Sequence, residues 1–216
     1  MIESLLPPGV ASSEAFDDAA PAPLFPAEEA LMTGRRARRH RQFATARACA
    51  RRCLADLGHA PVALLPGPGG APAWPTGVVG SITHCDGYRA AVADHFGRTA
   101  ALGIDAEPAG PLPPGVLGLI TSPAERAHLS DLAAADPATP WERLFFSAKE
   151  AVYKAWYPAT GTWLGFRQAT LSLSPTGSFT CTLHPPPTAP ALDPHYTGRW
   201  LTTPTLVLTA VARAGA

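Results

Sequence analysis

Apolar positions recur at two spacings along this chain, and the switch between them marks its elements. Between about 34 and 57 they fall three or four apart, at Phe43, Ala46, Ala50, Leu54 and Leu57, which predicts one long helix ended by Gly58. Proline and glycine crowd residues 58–77, so that stretch reads as a connecting loop. Short apolar runs then predict strands at Val78–Thr83, Tyr88–His95 and Thr99–Asp105. Residues 108–115 form a second loop rich in proline and glycine. Helices are expected at about 122–134, opened by Ser122-Pro123, and at about 140–157, where Pro158 marks the stop. Runs near 169–174, 178–184, 197–203 and 205–212 predict four more strands, and residues 1–25 read as irregular with some extended pieces. The order of helix, strands, helices, strands indicates an α+β protein. A break near residue 100 divides it into halves, 1–100 and 101–216, each with its own helix and sheet.

Composition narrows the function classes. Net charge is zero and charged residues make up only 16% of the chain, which argues against a nucleic-acid binder. The positive charge is local instead: eight of the seventeen basic residues fall within 35–52. The first residues lack the basic and apolar segments of a signal peptide. No apolar run approaches roughly 18 residues, so no membrane span is expected. Cys49, Cys53, Cys85 and Cys181 have no metal-type spacing; Cys49 and Cys53 share a helix face and read as buried thiols. A reducing cytoplasm fits that usage.

On the first helix, with Phe43 at zero and about 100° per residue, Arg38, Arg41 and Arg52 lie opposite the apolar stripe and read as solvated. Arg39 and Arg47 flank the stripe at about 40° on either side and lean toward the body of the protein. Such arginines either pack their stems along the core edge with heads in water or meet an anion or carboxylate.

The run Ala101–Glu107 ends in two carboxylates. In a strand Asp105 and Glu107 share one face while Ala106 points to the other. Adjacent acids repel, and a hard cation is the common means of keeping both ionised. Downstream, Phe146–Lys154 places a third acid, Glu150, one helical turn before Lys154. That acid-first order is also an ordinary helix-stabilising pair. It leaves Lys149 unexplained, because Lys149 falls within an arc of Phe145, Val152, Tyr153 and Trp156, where an ammonium needs a partner. The segment Gly80–Tyr88 spans the join between the first two strand candidates and reads as a glycine–histidine turn. There Gly80 permits close approach, and Ser81, Thr83 and His84 offer donors to an anion. A lone histidine in a turn is ordinarily structural; convergence of His84 with Arg39 and Arg47 would make an anion site. Three acids for magnesium and several cations for phosphate suggest phosphoryl-type transfer.

The ordered set Gly80-Ser-Ile-Thr-His84-Cys, Gly103-Ile-Asp105-Ala-Glu107 and Ser147-Ala-Lys149-Glu150-Ala-Val-Tyr-Lys154 resembles the motifs of the Sfp-type 4′-phosphopantetheinyl transferases. It is most similar to the branch of the enterobactin-synthase component D protein and its actinobacterial relatives. The resemblance extends to Arg39-His-Arg-Gln-Phe43, Arg47, Trp74-Pro75 and the run from Tyr153 to Phe166, and covers about residues 30–212. It implies a pseudo-twofold monomer with coenzyme A in the cleft between two similar halves. The N-terminal half would make the nucleotide and phosphate contacts, and the C-terminal half would hold the metal and catalytic residues. By the same likeness, Asp105, Glu107 and Glu150 would hold Mg2+, with Mn2+ able to substitute, on the pyrophosphate. Arg39, Arg47 and His84 would contact phosphate, joined by Ser81 and Thr83. Lys149 and Lys154 would stand near the pyrophosphate as catalytic cations. The acceptor would be a serine of an acyl, peptidyl or aryl carrier protein, in siderophore, nonribosomal-peptide or polyketide synthesis. Glu150 or a metal-bound water would take the serine proton. Trp156, Tyr157, Trp163 and Phe166 are expected either in the core or on the surface that faces the carrier.

One departure stands out. Close relatives carry a cation before the glycine that opens the 66–72 loop, whereas this chain reads Pro66-Gly67-Pro68-Gly69-Gly70-Ala71-Pro72. Coenzyme A is therefore expected to bind more weakly, or with more salt sensitivity, unless Arg36 or Arg89 substitutes. A non-catalytic coenzyme A- or carrier-binding homologue would have lost an acid or a lysine, and a magnesium-dependent phosphohydrolase would release phosphopantetheine without a carrier. All three acids and both lysines are present.

Overall fold

The chain reverses at Asp86-Gly87, with Gly87 at φ +73°, so the residues on either side pair as a hairpin. The structure, a computed structural model, describes residues 1–19 and 23–215. One sheet holds three antiparallel strands in the order β1 (Ala11–Ala15), β3 (Tyr88–His95), β2 (Val78–Cys85). The other holds five in the order β4 (Thr99–Pro108), β8 (Leu206–Ala214), β7 (His195–Thr202), β6 (Ser178–Leu183), β5 (Ala169–Ser174). Five helices complete the α+β architecture: α1 (Pro26–Met32), α2 (Ala37–Asp56), α3 (Val116–Ile120), α4 (Pro123–Ala135) and α5 (Trp141–Thr160).

Each long helix covers one sheet. On α2, Ala50 and Leu54 are buried with Ala91 and Ala93 of β3, and Cys49 and Cys53 share that core as free thiols. On α5, Phe145, Val152 and Trp156 are buried against the five-stranded sheet. A middle core joins the two: Ile2 and Leu5 from the N-terminal segment meet Tyr88 and Val92 of one sheet and Leu102, Ile104 and Leu208 of the other.

The seam between the sheets is made by side chains. Ser81 Oγ accepts the Ile104 N–H at 3.1 Å and Thr83 Oγ1 accepts the Ala106 N–H at 3.1 Å. Equal steps of two on both strands mean that β2 and β4 run side by side in the same direction. Hydroxyls thus replace a backbone ladder and satisfy amides that burial would otherwise strand. The expected strand at 78–83 is present and runs on to Cys85, so His84 lies within β2 and the turn falls later, at Asp86-Gly87. Gly103 sets the other critical distance. A Cβ there would lie 1.9 Å from the Ala151 carbonyl, so only glycine lets α5 settle directly onto β4.

Element boundaries differ in instructive places. The helices α1 and α3 were not expected; they are seven and five residues long, too short to show a period. The Glu28 side chain nevertheless accepts the Phe25 N–H across the start of α1, with Pro26 at its first turn. At the other end of the chain's helical content, α5 runs past Pro158 to Thr160 and closes at Gly161, φ +63°. A proline in the last turn removes only one internal hydrogen bond, so it does not break the helix.

Candidate active site

One stripe of α5 builds half of the site. Glu150 and Lys154 follow Arg143 by seven and eleven residues, which places each within about 20° of Arg143 around the helix, on opposite sides of it. Because Gly103 brings α5 onto β4, this stripe meets the two strand acids. Lys154 Nζ donates to Asp105 Oδ1 at 2.7 Å and to the Ile104 carbonyl at 3.2 Å. Arg143 Nη1 donates to Glu107 Oε2 at 3.0 Å. Thr83 also turns its hydroxyl toward Asp105 Oδ1, at 3.3 Å.

The carboxylates press on one another. Burial raises the pKa of Glu150, and the negative charges of Asp105 and Glu107 raise it further against the opposing pull of Lys154. Glu107 is raised by burial and then by Asp105, with Arg143 opposing. Asp105 is 5% exposed, and its Oδ2 is buried without a hydrogen-bond partner among the described residues. An orphaned carboxylate oxygen beside two other acids is the arrangement a hard cation relieves. Among the described residues no three acidic, histidine or cysteine side chains stand in ready-made ligating geometry, since each strand acid leans on its own α5 cation.

The N-terminal half supplies positive charge across a cavity of about 300 Å³ lined by Arg39, Arg47, Gly80, His84, Glu150 and Lys154. Arg47 is 8% exposed; its Nε donates to the Leu64 carbonyl at 2.8 Å and its guanidinium lies 4.2 Å from the Phe43 ring centroid. Burial pulls its pKa down to about 10, although Glu28 works the other way, and Arg51 and Arg39 lower it further. Arg39 Nη1 donates to His84 Nε2 at 2.7 Å, which requires a neutral imidazole. Partial desolvation of that ring, which still reaches the surface, followed by the charges of Arg39, Lys154 and Arg89, pushes its pKa down to about 4. The expected convergence of His84 with Arg39 and Arg47 is present.

Two expectations need correction. Lys149 does not reach the cavity. Its ammonium is buried at the opposite side of α5, 3.0 Å from Glu125 Oε1 and hydrogen-bonded to the carbonyls of Ile120 at 2.7 Å and Phe166 at 2.9 Å. The partner its aromatic surroundings demanded is Glu125, so Lys149 fastens α4 and the 166 region to α5. Thr83 does not face an anion: its Oγ1 accepts the Ala106 N–H and donates toward Asp105, whereas Ser81 lines the cavity and accepts the Ile104 N–H with its own O–H still able to donate. Nor does Arg89 replace the missing loop cation: it is 3% exposed and bonded to Asp18 and to the carbonyls of Cys85 and Tyr88. The 66–72 loop is held at the cavity by Tyr157, where a Cβ on Gly69 would fall 2.3 Å from the ring. Trp156 is core, Phe166 stacks on Phe146, and Trp163 is 71% exposed.

Sequence reasoning missed Glu28 and Arg143. Glu28 is fully buried and takes Arg51 at 3.0 Å and the Leu64 N–H at 2.9 Å, bracing the loop on which Arg47 rests. Arg143 could have been found from its seven- and eleven-residue spacing to Glu150 and Lys154.

Comparison with known proteins shows the family. The family profile described as the 4′-phosphopantetheinyl transferase N-terminal domain matches residues 27–94, and that of the 4′-phosphopantetheinyl transferase superfamily matches 101–203. The 4′-phosphopantetheinyl transferase Svp of Streptomyces mobaraensis is 48% identical over 99% of this chain and 89% of its own length. Npt of Nocardia iowensis, named for the same activity, is 45% identical over 99% of this chain and 100% of its own. PptT of Mycobacterium tuberculosis is 40% identical over 98% and 97%.

Proposed function

This chain belongs to the Sfp-type 4′-phosphopantetheinyl transferases, and from that membership we propose how its own residues move the phosphopantetheine arm of coenzyme A to a carrier-protein serine. The phosphates of coenzyme A enter the cavity between the halves. Arg39, Arg47 and His84 meet the nucleotide phosphates there, and Lys154 stands nearest the pyrophosphate. The uncharged arm has a route in an adjoining cavity of about 650 Å³, which shares Pro72, Gly80 and Pro158 with the first. Trp74 forms part of its wall, with a buried indole N–H that lacks a partner among the described residues.

The donor set fits Mg2+, or Mn2+ in its place. Asp105, Glu107 and Glu150 would hold it, and the buried, unpartnered Oδ2 of Asp105 is the observation that carries this reading. Bound there, such an ion would neutralise the pyrophosphate and polarise the phosphorus. The serine Oγ forms a bond to the phosphorus that bears pantetheine, and the bond from that phosphorus to adenosine 3′,5′-bisphosphate breaks. Glu150, which lines the cavity, accepts the serine proton. Lys154 offsets charge on the leaving oxygens while keeping Asp105 Oδ1 in place. Lys149 has a positioning part only, through Glu125.

The enzyme is proposed to work as a monomer in a reducing cytoplasm, on carriers of siderophore, nonribosomal-peptide or polyketide synthesis. Among the described residues no helix is long and apolar enough to cross a membrane. Mass spectrometry of an apo carrier incubated with coenzyme A and Mg2+ tests the whole reading. The carrier should gain one phosphopantetheine arm, adenosine 3′,5′-bisphosphate should appear, and exhaustive chelation should stop both. Undiminished turnover after chelation would remove the metal from the proposal.

A further inference from the structure

Arg143 is the one cation of the α5 stripe that stands outside the phosphate cavity, and its contacts are unusually complete. Nη1 donates to Glu107 Oε2 at 3.0 Å, Nε donates to the Gly110 carbonyl at 3.3 Å, and Nη2 donates to the Pro111 carbonyl. Its side chain is 16% exposed and that of Glu107 is 23% exposed. Two fixed carbonyls set the plane of the guanidinium, so the oxygen it grips on Glu107 is also fixed. Glu107 Oε1 makes no hydrogen bond among the described residues. The same pattern holds eleven residues along the stripe, where Lys154 grips Asp105 Oδ1 and leaves Oδ2 free. Each strand acid thus has one oxygen held by a cation of α5 and one unengaged, with Glu150 between the two cations on the helix.

From this arrangement we infer that Arg143 is a positioning residue, which holds Glu107 aimed beside Asp105 so that the pair can share one divalent cation. The inference rests on the metal reading proposed above. Its physical basis is separate. Glutamate has several free torsions and loses their entropy when ordered, and two like charges on one strand face repel. Without the guanidinium, Glu107 would relieve that repulsion by swinging outward. A ligating carboxylate held by an outer partner typically loses 10–100-fold in metal affinity when that partner is removed.

The test measures Mn2+ affinity of the folded protein with coenzyme A present, following the free-ion electron paramagnetic resonance signal. Wild type, Arg143→Gln, Arg143→Lys, Glu107→Gln and the Glu107→Gln/Arg143→Gln double variant are compared. Arg143→Gln should weaken Mn2+ binding by roughly 10–100-fold. Arg143→Lys should fall between it and wild type, because an ammonium keeps the charge but cannot span Glu107 and both carbonyls. The double variant should bind no more weakly than Glu107→Gln alone, since Arg143 acts only through Glu107. Affinity for adenosine 3′,5′-bisphosphate without metal should not change in any of them, which a merely structural collapse would not spare. Unchanged or tighter Mn2+ binding by Arg143→Gln, or additive losses in the double variant, would overturn the inference and leave the metal site standing. Absence of Mn2+ binding by wild type would overturn both. Should Arg143→Gln fail to fold, Arg143→Lys carries the comparison, and wild-type affinity in that variant overturns the inference.

Discussion

Glu28 and Asp105 are both buried carboxylates gripped by a cation from a long helix, yet their surroundings differ in one respect. Glu28 accepts the Phe25 and Leu64 N–H groups and Arg51, so both of its oxygens are used. Asp105 receives Lys154 and Thr83 on Oδ1 and nothing on Oδ2. Glu125 resembles Glu28: the Ser122 and Leu171 N–H groups and Lys149 hold its pKa below the usual range against the burial that would raise it. The fully satisfied acids lie where helices are fastened to loops and strands. The half-satisfied one lies where the two halves face a common cavity. Burial of a charge therefore does not by itself mark a reacting group, and an unpartnered oxygen does so only beside other acids: Asp18 Oδ1 also lacks a partner among the described residues, but that carboxylate pairs with Arg89.

Substitutions should separate the two kinds of acid. Glu150→Gln should lower transfer to an apo carrier by about 10²–10⁴-fold, the usual contribution of a general base, while the thermal midpoint stays near that of wild type. Its pH profile sharpens the point. In the metal-free protein the raised pKa keeps Glu150 protonated to higher pH than a free glutamate, so divalent-cation affinity should climb with pH through that displaced range, and the variant should lack this limb. The linked stability has the opposite slope. Folded protein holds this proton more tightly than unfolded chain, so ionising Glu150 costs stability as pH rises from the ordinary glutamate range through the folded value.

Glu28→Gln should do the reverse. Leaving Arg51 and Arg47 without their buried counter-charge should cost about 3–5 kcal/mol in denaturant unfolding, with turnover per folded molecule little changed. A Glu28→Gln protein as stable as wild type would break the distinction between satisfied and reserved acids.

His84 offers a smaller signal. Its pKa falls from 6.5 to about 4 in the folded protein, so the unfolded chain takes up the proton first as pH drops. Stability contributed above pH 6.5 should be lost between 6.5 and about 4. A phosphate placed against the ring would restore its basicity, so coenzyme A binding in that window should take up a proton. Calorimetry in buffers of different ionisation heat measures that uptake, and His84→Ala should abolish it. The smallest effect is expected at Pro66, which is exposed at the loop that lacks a cation. Pro66→Lys should tighten coenzyme A binding by less than about 1 kcal/mol, in a salt-sensitive way. Identical titrations would show that the loop makes no charged contact.

Much of this was legible in one dimension. Strand alternation placed Asp105 and Glu107 on one face, and helical periodicity placed Arg39 and Arg47 beside the apolar stripe of α2. The same periodicity flagged Lys149 as a cation in need of a partner without identifying it as Glu125, twenty-four residues upstream on another helix. Arg143 lay on the stripe of Glu150 and Lys154, but its spacing has meaning only once β4 is known to lie beneath that stripe.

The sequence by itself determined the element types, the shared faces of neighbouring residues and, through three ordered motifs, the family. Those properties depend on torsional period and composition, which are local. Tertiary structure alone decided which charges are spent and which are held in reserve. Lys149 and Lys154 are five residues apart on one helix, yet one is locked into Glu125 and the other faces Asp105. The difference arises because Gly103 lets α5 lie against β4 and the hydroxyls of Ser81 and Thr83 bind the sheets edge to edge. Contacts of that kind join residues far apart in the chain, and no local pattern encodes them.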